Sequence, residues 1–278
     1  VNMLRHAKSS VLRLVRHGRP VAWVPDWMNL GNLLYMGKWA YDDRDAGRRV
    51  LLHPKHEKTV GLFPALREGL FITPEEVRFT DQRVMPWSGQ QDAPRNEFTD
   101  PEPDAQFIED LLLHGSPLTE DVPGIDDSIV VNVRRGDYYS VPEYNAEYGM
   151  NQREYVRAAV AASVADGGRP DRIIVISDGM TWCREHLSGV LDPIATTLYQ
   201  DGDVAHDLRH LIHARRLVLP NSTFSYWGGY IGDVAHPGRE VTAPWFFSRA
   251  QDGGMATQLR HHWRRIDDIP GGWGPTGP

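Results

Sequence analysis

The sequence predicts an α/β protein whose C-terminal half is built on a parallel sheet. Three observations predict it. From Ser128 onward, short β-branched runs alternate with helical patterns. The polar motifs of that half fall where the runs end, which is where ligands sit in such sheets. Hydrophobic residues make up 41% of the 278, enough for real cores.

Ile129–Val133 is a compact β-branched run and reads as a buried strand. Gln152–Ala165 places Tyr155, Val156, Ala159, Val160 and Ser163 at helical spacing. Ile173–Ile176 is the next strand, followed by a short helix over Thr181–Leu187. Ile194–Leu198 reads as a third strand, Val204–Ala214 as a helix, Leu217–Leu219 as a fourth strand and Thr223–Ile231 as the helix after it. The first half is less regular. Leu12–Val15 and Val50–Leu52 read as strands and Leu33–Ala46 as a helix. Val84–Val122 is rich in Pro, Asp and Gly and reads as loops around one helix near Ala105–Leu113. Pro117, Pro123 and Gly124 break regular structure, so a boundary is expected within Gly115–Asp127, giving lobes 1–124 and 125–278. Gln258–Arg265 reads as a helix returning to the first lobe.

Composition narrows the function classes. A net charge of −7 argues against a general nucleic-acid binder. No apolar run approaches the ~20 residues of a membrane span, and Val1–Ser10 lacks the apolar stretch of a signal peptide. The single cysteine, Cys183, permits no intramolecular disulfide and fits a cytoplasmic compartment.

The sharpest chemical signal is Asn132-Val133-Arg134-Arg135-Gly136-Asp137-Tyr138, where a buried strand ends in two arginines, a glycine and an aspartate. The planar guanidinium fork suits phosphate oxygens. Asp137 orients a guanidinium or anchors the loop. Read without any phosphate, the same residues are a strand exit with solvated charges. The second signal is Asn221-Ser222-Thr223-Phe224-Ser225, where a strand hands over to a helix whose free N–H groups suit an anion. An ordinary N-cap accounts for one polar residue there, but not for four in five positions.

Arg134-Arg135-Gly136-Asp137, Ser177-Asp178 with Trp182-Cys183, and Asn221–Ser225 follow one another in this order. Together they resemble the α-1,2-fucosyltransferase family, glycosyltransferase family 11, within the wider fucosyltransferase superfamily. The family pattern is His-x-Arg-Arg-x-Asp, then Ser-Asp-Asp with Trp-Cys nearby, then Asn-Ser-Thr-Phe-Ser-Trp-Trp. The resemblance runs over Ile129–Ile231, with a looser match of Leu30-Gly31-Asn32-Leu33 to a Gly-Gly-Leu-Gly-Asn-Gln loop.

That resemblance implies a GT-B fold of two Rossmann-like lobes, with the donor site in the C-terminal one. It also implies inverting, metal-independent transfer from GDP-fucose to a hydroxyl of a glycan or small-molecule acceptor. By position, Arg134 and Arg135 would face the diphosphate, and Asp207 would pair with the guanine edge. Ser222, Thr223 and Phe224 would contact phosphate and ribose, and Gly31 and Asn32 would approach from the first lobe. Asn132, Ser177, Asp178, Asn221 and Ser225 complete the implied donor set. An inverting transfer needs a base or a polarised hydroxyl. Glu143, just past the arginine loop, is the best-placed carboxylate, and a solvated glutamate is its plainer reading. Three departures stand out: Asn132 replaces the family histidine, Gly179 replaces the second aspartate, and Met28-Asn29 with Leu33 alters the Gly31 loop. They leave open another GDP-sugar, or a nucleotide-sugar or glycan-binding protein without turnover.

Other signals compete and are set aside. Arg16-His17-Gly18 resembles the histidine-phosphatase signature but has no matching downstream partners. Asp42-Asp43-Arg44-Asp45 resembles an Asp-x-Asp metal site, yet lies in a helical pattern that favours a solvated face. His206, His210 and His213 share one helix face at zinc-compatible spacing, but apolar residues interleave, and they read as helix-surface histidines. Cys183 reads as a small buried residue.

Overall fold

Two units divide the chain between Ser116 and Pro117, and the computed structural model describes residues 16–88 and 102–275. The strand expected over Leu12–Val15 lies outside those residues.

In the N-terminal unit, β1 (Pro20–Trp23), β2 (Arg49–Leu51), β3 (Phe71–Ile72) and β4 (Gln82–Val84) form a sheet of order β3-β2-β1-β4. All its pairings are parallel. Helix α1 (Leu30–Asp42) buries Leu33, Leu34, Tyr35 and Met36. It begins before the apolar spacing suggests, so Gly31 and Asn32 lie in its first turn and not in a loop. Short helices α2 (Glu57–Val60) and α3 (Pro64–Leu70) join β2 to β3. The helix expected near Ala105–Leu113 is present as α4 (Ala105–Phe107), running on as a wider π-helical turn over Ile108–Leu113. The residues Asp42 and Asp43 are spent on ion pairs with Lys38 and Arg48.

In the C-terminal unit, six strands lie in the order β10-β9-β8-β5-β6-β7, all parallel. They are β5 (Ser128–Val133), β6 (Arg172–Ser177), β7 (Thr196–Gln200), β8 (Arg216–Val218), β9 (Glu240–Pro244) and β10 (Arg264–Ile266). The connecting helices are α5 (Gly136–Ser140), α6 (Pro142–Tyr148), α7 (Gln152–Gly167), α8 (Met180–Leu191), α9 (Val204–His213) and α10 (Thr223–Ala235). Strand β5 is buried along its whole length. Its odd-numbered residues Ile129, Val131 and Val133 pack with Tyr155, Val156, Ala159 and Val160 of α7 and Cys183, Leu187 and Leu191 of α8. Its other face meets α9. Helices therefore cover both faces, as the β-branched strands require.

The segment expected to be a helix over Gln258–Arg265 is not one; Arg264–Ile266 instead pairs with β9 as an edge strand. Trp263 explains the difference. Its Nε1–H donates to Asp233 on α10 at 2.7 Å, and its ring stacks on Tyr230 at 5.3 Å, drawing the chain down onto the sheet.

Each sheet has a point where successive connections depart in opposite directions. In the C-terminal unit it lies between β5 and β8, and in the N-terminal unit between β1 and β4. Among the described residues, no helix is long and apolar enough to cross a membrane.

Candidate functional site

The β5/β8 switch point gathers the conspicuous motifs, because β5 ends at Val133 just before the arginines and β8 ends at Val218 just before Asn221–Ser225. A crevice at such a point is the usual ligand position in an open parallel sheet.

The two arginines have different fates. Arg134 is already paired: its guanidinium meets Asp178 and Asp137, and lies over the Tyr138 ring at 5.0 Å. Arg135 is buried, 6% exposed, with its guanidinium 3.5 Å from the Tyr139 ring centre and 4.2 Å from that of Trp182. Cation–π contact on both faces holds it in place. Burial pulls its pKa down from the usual arginine value, yet guanidinium remains charged. Its Nη1 is buried and has no hydrogen-bond partner. An orphaned charged donor in the interior costs stability unless something accepts from it.

Asp178 organises this loop. One oxygen accepts the Arg135 backbone N–H at 2.6 Å, and the other takes Arg134. Gly136 has φ +28°, and a Cβ there would lie 2.4 Å from Asp178 Oδ2. Gly179 is needed for the same reason: a Cβ would lie 2.4 Å from Arg135 Cβ and 2.6 Å from its Cγ. An aspartate at 179 would collide with the buried arginine, which accounts for that departure from the family pattern. Ser177 is turned inward on the loop, its Oγ accepting Gly179 N–H at 2.9 Å. The excursion through α5 and α6 is pinned at its ends. Gln152 donates to the Arg134 carbonyl, and Tyr139 Oη donates to the Met150 carbonyl at 2.8 Å.

Several residues expected to touch a donor have hydrogen-bond partners within the protein. Asn132 is 6% exposed; its Nδ2 donates to the Ile176 carbonyl at 3.2 Å and its Oδ1 accepts from Ser225 Oγ at 2.5 Å. It therefore ties β5 to β6 and to α10. Asn221 is fully buried and donates to the carbonyls of Tyr148 and Phe247, both at 2.9 Å, while its Oδ1 has no partner. Ser222 occupies the N-cap position of α10 without a side-chain cap bond, and Thr223 and Phe224 are half-buried in the first turn.

Asp207 sits in the first turn of α9, beside His206, whose Nδ1 is 3.1 Å from Asp207 Oδ1. Burial raises the carboxyl pKa, partly offset by His206, and the negative charge of Asp178 raises it further. Asp207 and Asp178 thus share one electrostatic neighbourhood. His210 and His213 are turned to the carbonyls of His206 and Leu118, so the three histidines converge on no common point. Cys183 is buried and its thiol is pushed up to about 11, an inert thiol at neutral pH. Glu143 is exposed on α6, and no hydrogen bond or ion pair engages it among the described residues. One turn on, Glu147 accepts from buried Ser248 Oγ at 2.9 Å. Gly31 and Asn32 belong to the other unit.

Sequence reasoning missed the aromatic pair that grips Arg135. Tyr139 and Trp182 carry no pattern of their own, although Trp182 stood in the Trp-Cys motif.

Residues 117–235 match the family model described as "Glycosyl transferase family 11". Among curated proteins, "Galactoside alpha-(1,2)-fucosyltransferase 2" from Oryctolagus cuniculus is 30% identical over 134 residues, 47% of this chain and 35% of that protein. "Alpha-1,2-colitosyltransferase" from Escherichia coli is 24% identical over 127 residues, 45% of this chain and 43% of that protein. The matched stretch thus spans well under half the length of these relatives. Among solved structures, E. coli heptosyltransferase WaaC with ADP-2-deoxy-2-fluoro heptose aligns over 91% of this chain and 94% of that one, at TM-score 0.47 and 12% identity.

Proposed function

Because the chain carries a glycosyl transferase family 11 domain over residues 117–235, we propose that it is an inverting, metal-independent glycosyltransferase. It moves fucose from GDP-fucose to a hydroxyl of a glycan, and acts in the cytoplasm. One observation carries the reading: the buried, partnerless Nη1–H of Arg135 at the β5/β8 switch point, aligned by two aromatic rings. A diphosphate oxygen supplies the missing acceptor.

Cleaving the sugar–phosphate bond leaves negative charge on the departing GDP. Fixed donors aimed at that charge lower the barrier without reorganising. Arg135 provides one such donor, and the free N–H groups at the start of α10 provide more. Arg134 contributes once the diphosphate displaces one of its carboxylates. Asp207 accepts from the donor edge of guanine in this scheme. For the acceptor proton, α6 offers two carboxylates. Glu147 is committed to Ser248, so exposed Glu143 remains the proposed base.

The name of the E. coli relative, a colitosyltransferase, keeps a second donor in view: another GDP-linked deoxysugar at the same site. Thermal unfolding of the full chain with GDP-fucose, other GDP-sugars and UDP-sugars separates these readings, since a ligand of the native state raises the midpoint. A shift with GDP-sugars only, and donor turnover that persists in EDTA, is the expected result. A shift with UDP-sugars alone, or turnover abolished by EDTA and restored by a divalent ion, overturns the proposal.

A further inference from the structure

Helix α6 carries the proposed base, Glu143, and core packing does not hold it in place. It is seven residues long, and none of them is fully buried. A helix of that length is not stable on its own in water. What fixes it is its C-terminal end, where the last carbonyls of a helix have no partner within it.

The carbonyls from Asn145 to Gly149 are all taken. Asn145 accepts the Gly149 N–H at 2.9 Å, and Tyr148 accepts from Asn221 Nδ2 at 2.9 Å. The other three go to one side chain. Arg249 Nη1 donates to the carbonyls of Ala146 at 3.1 Å and Glu147 at 3.2 Å, and Nη2 donates to that of Gly149 at 2.8 Å. Its backbone N–H also donates to the Glu147 carbonyl, at 3.1 Å. The last Nη2 bond runs to the Trp273 carbonyl at 2.6 Å, and the guanidinium lies 4.7 Å from the Phe246 ring centre. The segment bearing Arg249 follows β9 and is itself anchored. Its Ser248 is fully buried and donates to Glu147, and its Phe247 carbonyl takes the second Asn221 bond.

We propose that Arg249 is a positioning residue for the transfer: it caps α6 and so holds Glu143 against the acceptor hydroxyl. This deepens the proposed function and rests on that reading. In the reaction, the bond from the sugar's anomeric carbon to the phosphate oxygen breaks, and its electron pair leaves on GDP. The acceptor oxygen bonds that carbon, and the acceptor proton passes to Glu143. A base acts only within hydrogen-bond reach of its proton, and a shift of about 1 Å can lower the rate on the order of 100-fold. Arg249 is not an anion ligand like Arg135, because both of its Nη groups are spent on carbonyls. Nor is it a core residue: it is exposed, so removing it leaves the core intact. The planar fork is what spans several carbonyls at once, and lysine has no equivalent.

A double-mutant cycle on GDP release from GDP-fucose, with water as the acceptor, tests the role. Arg249→Ala is expected to lower kcat at least about tenfold. The KM for GDP-fucose and the GDP affinity stay within about twofold, since only the transition state loses an interaction. Arg249→Lys falls between the two. In a Glu143→Gln background, Arg249→Ala costs less than about twofold more, because the two residues act as a unit. Hydrogen exchange over residues 141–149 speeds up in Arg249→Ala, while the rest of the C-terminal unit keeps its native rates. Arg169→Ala, which removes an arginine bond to the Pro193 carbonyl, leaves turnover and exchange unchanged. Losses of equal size in the native and Glu143→Gln backgrounds overturn the proposal. So does a change confined to KM, or native exchange over residues 141–149 in Arg249→Ala. Failures of the two readings are distinct. A native chain that neither binds GDP nor turns over GDP-fucose defeats the donor reading, and the positioning role falls with it. A native chain that turns over donor while the cycle is additive keeps the donor reading and removes only Arg249.

Discussion

The unequal states of the two arginines make a sharp test in the pair Arg135→Lys and Arg134→Lys. Both substitutions keep the charge and remove the planar fork. At 135, lysine loses the face-to-face contacts with Tyr139 and Trp182, about 0.5–2 kcal/mol of cation–π attraction. It also loses the fixed Nη1–H. A hydrogen bond to a charged partner is worth about 1.5–3 kcal/mol, so GDP binding weakens roughly 10- to 100-fold. At 134, the partners Asp137 and Asp178 are 40% and 33% exposed, and such pairs contribute about 0–1 kcal/mol. Arg134→Lys therefore weakens GDP by less than about fivefold on the same scale. Isothermal titration with GDP measures both, and circular dichroism verifies folding. Equal losses in the two variants, or a larger loss at 134, would falsify the assignment of Arg135 as the principal anion ligand.

Three further outcomes follow from the same geometry. Gly179→Ala pushes a Cβ to within 2.4 Å of Arg135 Cβ, and overpacking of this kind costs about 1–3 kcal/mol; a lower melting midpoint with weaker GDP binding is expected, and native values for both would contradict the packing argument. Asn132→Ala strips buried partners from Ile176 and Ser225, so the urea midpoint should fall by an amount equivalent to about 1–3 kcal/mol at constant m, whereas a change within error would show that the amide is dispensable. Asp207 has a raised carboxyl pKa from burial, and a raised carboxyl is stabilising only below the unfolded pKa and loses that contribution as pH rises through the folded one. Asp207→Asn should therefore raise the melting midpoint at pH 7, with the gain shrinking as pH falls toward 4, while GDP binding weakens; a variant that is less stable at pH 7 and more so in acid would reverse the sign.

The β5–α7–β6–α8 stretch was legible because its strands are buried on both faces and read as unbroken β-branched runs. In the N-terminal sheet only β2 was, from the run Val50–Leu52. Strand β1 is a four-residue apolar run, Pro20-Val21-Ala22-Trp23, closed in by Pro20 and Pro25, and β4 is Gln82-Arg83-Val84 on an edge with no apolar run to announce it. For α1 the apolar spacing begins at Leu33, three residues inside the helix, because Leu30 and Gly31 lie outside that spacing. In the site, the arginines, Asp178 and Asn221–Ser225 follow the ends of three neighbouring strands, β5, β6 and β8, as the motif order suggests. It did not distinguish ligands from frame. Burial decides that, and burial is a tertiary fact: Asn132 and Ser225 look like polar ligands in one dimension and bond to each other in three.

The charge balance of the crevice bears on which nucleotide it takes. Arg134 and Arg135 are matched by Asp137 and Asp178 before any donor arrives. A diphosphate adds negative charge to a neutral site, so it binds only where donors are fixed and unspent, and that condition singles out Arg135 Nη1 and the start of α10. In the proposed function, a diphosphate that displaces Asp178 from Arg134 leaves that carboxylate tied to the Arg135 backbone N–H. The freed negative charge is felt at Asp207, which Asp178 already biases toward protonation. An ionised Asp207 is then held only by hydrogen-bond donors. His206 supplies one, and a base with an N–H and an amino group on one edge supplies two more. Guanine meets that requirement. Adenine offers one donor beside an acceptor, and uracil's single N–H lies between two acceptors. The proposed function would thus draw a preference for GDP from a carboxylate made costly by its burial and by Asp178, and relieved by the ligand.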